Sequence, residues 1–203
     1  MVEFWNERYK ESDYAYGERP NEFFKNQLEK LSPGKILLPA DGEGRNAVFA
    51  AKKGWEVVAF DQSISGKEKA LQLADKENVI IDFQIDDLNH FNYPEESFDA
   101  VAMIYVHMPK EMRTKVHQKL CSLLKPGGTL ILEGFSKEHL AYSAKNPQAG
   151  GPKAIDLLFS HEELTADFCD LKIEFLEETI THLNEGNYHV GESAVIRMIA
   201  KKI

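Results

Sequence analysis

Cysteine is scarce in this sequence of 203 residues, and its two cysteines, Cys121 and Cys169, do not form a Cys-x-x-Cys pair. The scarcity argues against a disulfide framework, so both are predicted to be reduced thiols of a cytoplasmic protein. No metal ligand set is predicted. Long apolar runs are also absent: no stretch approaches the ~20 residues that cross a membrane, so no membrane partner is expected. The first ten residues, MVEFWNERYK, lack the basic start and apolar run of a signal peptide.

Basic residues are outnumbered in this chain. Its 24 lysines and arginines face 33 aspartates and glutamates, and the formal net charge is −9. Because nucleic-acid phosphates bind to basic surfaces, this balance argues against DNA or RNA as a partner. Hydrophobic residues make up 43% of the chain, which is enough for a continuous core. The length fits one domain, predicted to span residues 1–203.

Short apolar runs alternate with helical patterns along the first two thirds of the chain. Helices are predicted at residues 46–53 and 63–75 and from Pro109 onwards, the last with Val116, Leu120, Leu123 and Leu124 on one face. The alternation predicts βαβ units and a parallel sheet with helices on both faces. A final pair of strands without a helix between them is typical of an antiparallel hairpin. The predicted strands are residues 35–39, 55–61, 79–85, 98–106, 129–135, 171–177 and 193–202.

Four of the predicted parallel strands end in residues that suit a nucleotide ligand, which in such sheets binds at the carboxyl ends. After the first strand comes ADGEGRNA, in which Gly42 and Gly44 permit a sharp turn and close approach of a ligand. The next helix would aim unpaired N–H groups at that ligand. Asp61 ends the second strand, where a carboxylate can accept both ribose hydroxyls of an adenosine. DDLNHF follows the third strand and can bind an adenine amino group. YVHMP follows the fourth and would line the middle of the cleft, although its His107 is equally compatible with a helix-entry residue that takes no part in chemistry.

In this order and spacing, the motifs resemble class I S-adenosylmethionine-dependent methyltransferases over residues 36–203. The KPGG turn at 125–128 and the C-terminal antiparallel pair belong to the same pattern. The N-terminal WNERYKESDYAYGERPNEFF and the segments 150–164 and 184–197 are similar to a small-molecule subgroup that includes tellurite-resistance-type and thiopurine-type enzymes. The resemblance implies an α/β fold: a Rossmann-like, doubly wound sheet of seven strands, mostly parallel with an antiparallel C-terminal hairpin.

The resemblance also implies S-adenosyl-L-methionine as the cofactor and in-line methyl transfer to a heteroatom of a small molecule, for example a thiol or a selenium or tellurium oxyanion. Within the single domain, residues 1–30 would form a cap or lid, residues 35–135 the cofactor-binding half, and residues 136–203 the substrate-side segment and hairpin. A small-molecule substrate and a monomer or homodimer are expected. The implied cofactor-binding residues are Trp5, Tyr16, Ala40, Asp41, Gly42, Gly44, Arg45, Asn46, Asp61, Gln62, Ser63, Asp87, Leu88 and Tyr105.

The sequence departs from the family at the first turn, where Leu38 stands in place of the usual acid and Ala40 in place of the first glycine. One hypothesis is that Asp41 supplies, from a shifted position, the carboxylate that would hold the methionine ammonium. The alternative is that backbone carbonyls hold the ammonium and Asp41 stabilises the turn.

Methyl transfer from a sulfonium releases a neutral leaving group, so a base is needed only if the nucleophile carries a proton. His189, in a predicted loop before the last strand, is the candidate for that base or a structural residue. Arg197 either attracts an anionic substrate or pairs with a surface acid. Residues 136–153 are predicted to be a mobile, substrate-facing loop. The N-terminal aromatic residues Trp5 and Tyr16 either lie near the sulfonium or pack on the core.

Two other functions fit part of this pattern. GEGRNA also satisfies the Gly-x-Gly-x-x-Gly/Ala pattern of dinucleotide-binding proteins, so an NAD-dependent oxidoreductase is one alternative. The Asp87-Leu88 pair after the third strand and the C-terminal hairpin argue against an oxidoreductase. The other alternative is a protein that binds S-adenosylmethionine without catalysis, because the turn before Asp41 is altered.

Overall fold

The computed structural model describes residues 2–203, which form a single seven-stranded sheet flanked by helices. Its strands are β1 (Lys35–Pro39), β2 (Glu56–Asp61), β3 (Asp82–Ile85), β4 (Phe98–Ile104), β5 (Leu124–Phe135), β6 (Leu171–Glu185) and β7 (His189–Lys202). Its helices are α1 (Val2–Tyr9), α2 (Glu22–Leu28), α3 (Arg45–Lys52), α4 (Ile64–Lys76), α5 (Lys110–Leu123), α6 (His139–Lys145) and α7 (His161–Asp167), with short 3₁₀ turns at Pro147–Ala149 and Ile155–Leu157.

The strand order in the sheet is β3-β2-β1-β4-β5-β7-β6. The first five strands pair in parallel, and β7 is antiparallel to both β5 and β6. The predicted fold class is therefore confirmed. The order reverses beside β1, so the carboxyl ends of β1 and β4 border the crevice where such sheets bind ligands.

Helices cover both faces of the sheet and separate two parts of the core. The predicted apolar face of α5, with Val116 and Leu120, packs in one part, together with Phe168, which follows α7. The other part holds residues of α2, α3 and α4, such as Phe24 and Ala47. β1 is buried over most of its length, which is typical of a central parallel strand and confirms the prediction from its apolar run.

The glycine turn after β1 has a packing reason as well as a conformational one. Gly44 has φ 82°, and a Cβ added there would lie 2.5 Å from the Cβ of Ala70 in α4. Gly42 has φ 60°, and a Cβ there would lie 2.6 Å from the hydroxyl oxygen of Tyr9. Both positions therefore need glycine, because a side chain would be strained and would displace α4 or α1.

Several predicted element boundaries were wrong. β3 is shorter than 79–85, because pairing with β2 begins only at Asp82. β5 begins at Leu124, so the KPGG turn is an irregularity inside the strand rather than a turn before it. β4 ends at Ile104, where Tyr105 adopts φ 56°.

The C-terminal hairpin is much longer than predicted. β6 reaches Glu185 and β7 starts at His189, so the predicted loop is reduced to a short turn. β6 lies at the sheet edge with many exposed positions, and its polar residues therefore resemble a loop. The predicted loop at 136–153 was also wrong in secondary structure: it contains α6 and a 3₁₀ turn, and His139 and Ala149 are fully buried. Its mobility stays a prediction.

Candidate cofactor and acceptor site

Asp61 links the end of β2 to the glycine turn. Its carboxylate accepts from the backbone N–H of Gly42 at 3.0 Å and of Ser63 at 2.9 Å. Burial raises the pKa of Asp61 to about 6, although the backbone hydrogen bonds oppose the shift. A carboxylate can accept about four hydrogen bonds, so acceptor capacity remains for a hydroxyl donor beside the backbone donors of Gly42, Ser63 and Gln62. This arrangement fits the ribose of an adenosine.

Asp41 caps the first turn of α3. One of its carboxylate oxygens accepts from the backbone N–H of Ala47 at 3.1 Å and the other from the side-chain amide of Asn46 at 3.3 Å. Burial, opposed by these hydrogen bonds, raises the pKa of Asp41 to about 7. Ala40, just before it, adopts φ 50° and packs against the core. The contacts of Asp41 support its role in stabilising the turn.

The residues predicted for the adenine end follow β2 and β3. The backbone N–H of Asp86 donates to the backbone carbonyl of Asp61 at 3.1 Å, which brings the two strand ends together. The carboxylate of Asp87 accepts from the backbone of Asn89 and pairs with His90 at 2.9 Å. Leu88 packs partly buried against the core. This corner thus offers a carboxylate beside an apolar surface, which suits an adenine ring.

Helix α1 lies across the glycine turn. Tyr9 is buried against Gly42, and Trp5 stacks on Tyr9 with ring centroids 5.4 Å apart. Asn6 accepts from the hydroxyl of Ser63 at 2.7 Å, while that hydroxyl caps α4; Gln62, next to it, is half-buried. Trp5 therefore packs on a neighbouring aromatic residue, and α1 covers the region where Asp61 would meet a ribose.

Residues 13–21, which we call the lid segment, are held by side chains from the glycine turn and α4. Glu43 accepts from the backbone N–H of Ala15 at 2.8 Å and pairs with Lys69 at 2.8 Å. Lys69 also donates to the backbone carbonyl of Asp13 at 2.6 Å. Arg45 donates to the carbonyl of Tyr16 at 3.2 Å. The lid segment is thus hydrogen-bonded directly to residues of the glycine turn, α3 and α4.

The tip of the β6–β7 hairpin, residues 185–189, closes on the lid segment. Glu185 accepts from Arg45 at 2.8 Å, from the side-chain amide of Asn21 at 3.0 Å and from Nδ1 of His189 at 3.2 Å. The ring of Tyr16 lies 4.5 Å from that of His189. Burial opposes ionisation, but the charge of Arg45 and the hydrogen bonds from His189 and Arg45 lower the pKa of Glu185 to about 2. Glu185 is therefore ionised at neutral pH.

Glu133 is a second buried acid at the same place, near the end of β5. It is 1% exposed and accepts from Asn21 at 2.6 Å, from the hydroxyl of Tyr105 at 3.0 Å and from Arg197 at 2.5 Å. Arg197 therefore pairs with a buried acid, rather than with a surface acid as one of the two interpretations held. Asn21, Arg45, Glu133, Glu185 and His189 together form what we call the buried polar cluster.

The sequence interpretation missed Asn21, Glu133 and Glu185. One signal was readable for Glu133, because an acid inside the apolar run TLILEGF is unusual for a buried strand. His107, in contrast, has both ring nitrogens engaged by the backbone. Its Nδ1 atom donates to the carbonyl of Leu157 at 2.8 Å, and its Nε2 atom accepts from the backbone N–H of Phe135 at 3.0 Å. Burial lowers the pKa of His107 to about 4, so it is a neutral structural residue.

A family model described as a methyltransferase domain matches residues 36–128. This range runs from β1 into β5 and contains the glycine turn, Asp61 and Asp87. Over 199 residues the chain is 25% identical to the glycine/sarcosine N-methyltransferase of Aphanothece halophytica, with 91% of this chain and 71% of that protein covered. The chain belongs to the class I S-adenosylmethionine-dependent methyltransferases.

Further similarities agree with this family. The thiopurine S-methyltransferase of Vibrio cholerae serotype O1 is 32% identical over 111 residues, which cover 51% of this methyltransferase but only 47% of the relative. TehB from Haemophilus influenzae has a similar fold, with a TM-score of 0.73 at 18% identity, covering all of this chain and 67% of TehB. At that identity the likeness concerns the fold alone.

Family membership identifies S-adenosylmethionine, rather than a nicotinamide dinucleotide, as the cofactor. The structure fits this cofactor, because the Asp61 carboxylate has remaining acceptor capacity and the turn has two glycine positions that exclude a Cβ. No helix of this methyltransferase within residues 2–203 has the length and apolar character to span a membrane.

Proposed function

We propose that this methyltransferase transfers the methyl group of S-adenosylmethionine to a heteroatom of a small molecule, for example a thiol or a selenium or tellurium oxyanion. The supporting observation is the enclosure of the buried polar cluster. The backbone N–H of Asn187 in the hairpin tip donates to the carbonyl of Ala15 in the lid segment at 2.9 Å, and Tyr16 packs near Tyr188. A polymer would have to separate these elements to reach the cluster, so the closed arrangement favours a small acceptor.

Two relatives support a heteroatom as the acceptor. One is named for N-methylation of glycine or sarcosine and the other for S-methylation of thiopurines. Both names describe small acceptors with a lone pair on nitrogen or sulfur. A nucleophile of either kind can attack a methyl group in line without acid catalysis, because the leaving thioether is neutral.

The residues of this chain would act mainly by binding, orientation and exclusion of water. Asp61 would hold the ribose and Asp87 the adenine, while the turn from Ala40 to Gly44 would border the methionine part. When bound, S-adenosylmethionine supplies the electrophilic methyl group. His189 has Nε2 without a hydrogen-bond partner within residues 2–203, and it would accept a proton from an acceptor that carries one. Tyr105 and Tyr16 would flank the acceptor.

Calorimetric titration with S-adenosylhomocysteine is the first test. Micromolar binding is expected, and Asp61→Ala should weaken it by about 1–3 kcal/mol for a lost buried acceptor. Asp75→Asn, on the exposed side of α4, is the matched control. Absence of binding by the folded wild type, or binding of NADH instead, would contradict the assignment. A panel of a thiopurine, simple thiols, selenite, tellurite and glycine then tests the acceptor class.

We further propose that residues 1–203 act as one domain, as a monomer or a homodimer in the cytoplasm, without a nucleic-acid partner. The contacts between the lid segment, the glycine turn and the hairpin tip support one domain, because they connect residues 1–30, 35–135 and 136–203. Light scattering of the purified protein would test the assembly state.

A further inference from the structure

Glu185 has a bonding pattern that differs from that of a simple ion pair. Its Oε2 atom is shared by Arg45 at 2.8 Å and Nδ1 of His189 at 3.2 Å, and its Oε1 atom accepts from Asn21 at 3.0 Å. The donors come from α3, β7 and the lid segment. Both side chains of the Glu185–Arg45 pair are about nine-tenths buried. One carboxylate thus bonds to three separate parts of the fold.

This pattern determines which nitrogen of His189 carries the proton. An ionised carboxylate is an acceptor only, so the Nδ1 atom of His189 that faces Glu185 must be the donor. In neutral histidine the other nitrogen, Nε2, is then an acceptor with a lone pair. Burial lowers the pKa of His189, with Glu185 opposing that shift, so the ring is neutral at physiological pH.

The charged and titratable groups around His189 come from several elements. Burial and the positive charges of Arg45 and Arg8 disfavour the imidazolium, while the charge of Glu185 favours it. The groups that surround the ring are Glu185 from β6, Arg45 from α3, Arg8 from α1, Tyr16 from the lid segment, Tyr105 after β4, His107, and His139 from α6.

We propose that Glu185 is the positioning residue for His189 as the base of the methyl transfer, and that the closed lid segment holds Glu185 in place through Asn21. This inference rests on the proposed function. In the step, a lone pair of the acceptor forms a bond to the methyl carbon as the bond from that carbon to the sulfonium sulfur breaks. The electron pair of the broken bond stays on the neutral thioether. The acceptor proton moves to Nε2 of His189 and afterwards to solvent.

The tautomer of His189 is measurable without any acceptor, by ¹⁵N–¹H NMR of the imidazole nitrogens in the presence of S-adenosylhomocysteine. We expect the Nδ1–H tautomer in the wild type. Glu185→Gln leaves one acceptor oxygen for three donors, so the single tautomer should be lost and the titration of His189 should move to lower pH. Glu178→Gln, an exposed acid on the same strand, is the control and should change neither. Asn21→Ala should broaden the His189 signals through loss of the lid contact.

An Nε2–H tautomer in the wild type overturns the proposal, and that measurement does not depend on the folding of any variant. Unchanged tautomer and titration in folded Glu185→Gln overturn it equally. With a thiopurine as acceptor, Glu185→Gln should lower kcat at least about tenfold and shift the acidic limb of its pH profile, within the usual range for a base.

Failure of the proposed function has a different signature. If the proposed function is wrong, no acceptor in the panel is methylated. The tautomer of His189 would still report whether Glu185 orients its ring. A kcat that is unchanged in His189→Gln, and equal to that of the control His182→Gln on the exposed side of β6, would reject His189 as the base. Under that result the proposal for Glu185 is overturned as well.

Discussion

The ionisation of Asp61 should make cofactor binding depend on pH. Its pKa is raised to about 6 by burial, and ribose hydroxyls would donate to the ionised form. At pH 7 about nine tenths of the carboxyl is ionised, and at pH 5 about one tenth. If only the ionised form binds well, affinity falls about tenfold between these values, equivalent to about 1.4 kcal/mol.

The effect on stability has the opposite sign. Because the folded pKa of Asp61 lies above its unfolded value of 3.8, the folded chain holds a proton that the unfolded chain has lost. That contribution to stability is complete below the unfolded pKa and is lost as the pH rises through about 6. The ligand-free protein therefore loses stability over the range in which affinity for the cofactor increases.

Calorimetry with S-adenosylhomocysteine between pH 5 and pH 7.5 measures this dependence, because the carboxylate and ammonium groups of that ligand keep their charge over most of the range. The wild type and Asp75→Asn should show the tenfold change, and Asp61→Asn should bind weakly with little dependence on pH. Equal affinity of the wild type at pH 5 and pH 7 would show that ionisation of Asp61 does not control binding. A slope that persists in Asp61→Asn would assign the titration to Asp41, whose pKa is about 7.

Two further predictions concern stability, measured by urea unfolding. Gly44→Ala should lower the free energy of unfolding by about 3 kcal/mol, since it combines left-handed backbone strain with a clash against Ala70. Gly127→Ala, with φ 79° and no atom within 4 Å of the new Cβ, should lower it by about 1 kcal/mol. Equal losses in the two variants would reject the packing argument. Asp167→Asn should cost about 3–5 kcal/mol, because it removes the nearer carboxylate, 2.8 Å from the buried guanidinium of Arg113, and leaves Glu163, 3.4 Å away, as the remaining partner charge. A loss below about 1 kcal/mol would mean that Glu163 compensates for the missing charge.

The cofactor half was largely predictable because its signals are local. A turn with two glycines, an acid at the end of β2 and the Ser63 cap each act within a few residues of the chain. The apolar run of β1 and the amphipathic face of α5 likewise reflect burial that short periodicities report. Family resemblance then supplied the cofactor, and the matching methyltransferase domain confirmed it.

The acceptor side was not predictable in the same way. Asn21 meets Glu133 and Glu185 across separations of 112 and 164 residues, and no local pattern encodes such contacts. His189 was expected in a loop because β6, at the sheet edge, carries polar residues that do not alternate with apolar ones. Local patterns in the chain were enough to predict the sheet, the glycine turn and the acid at β2. Which acids are buried, and which nitrogen of His189 faces one of them, became visible only in the folded molecule, because burial and long-range pairing depend on how distant segments pack.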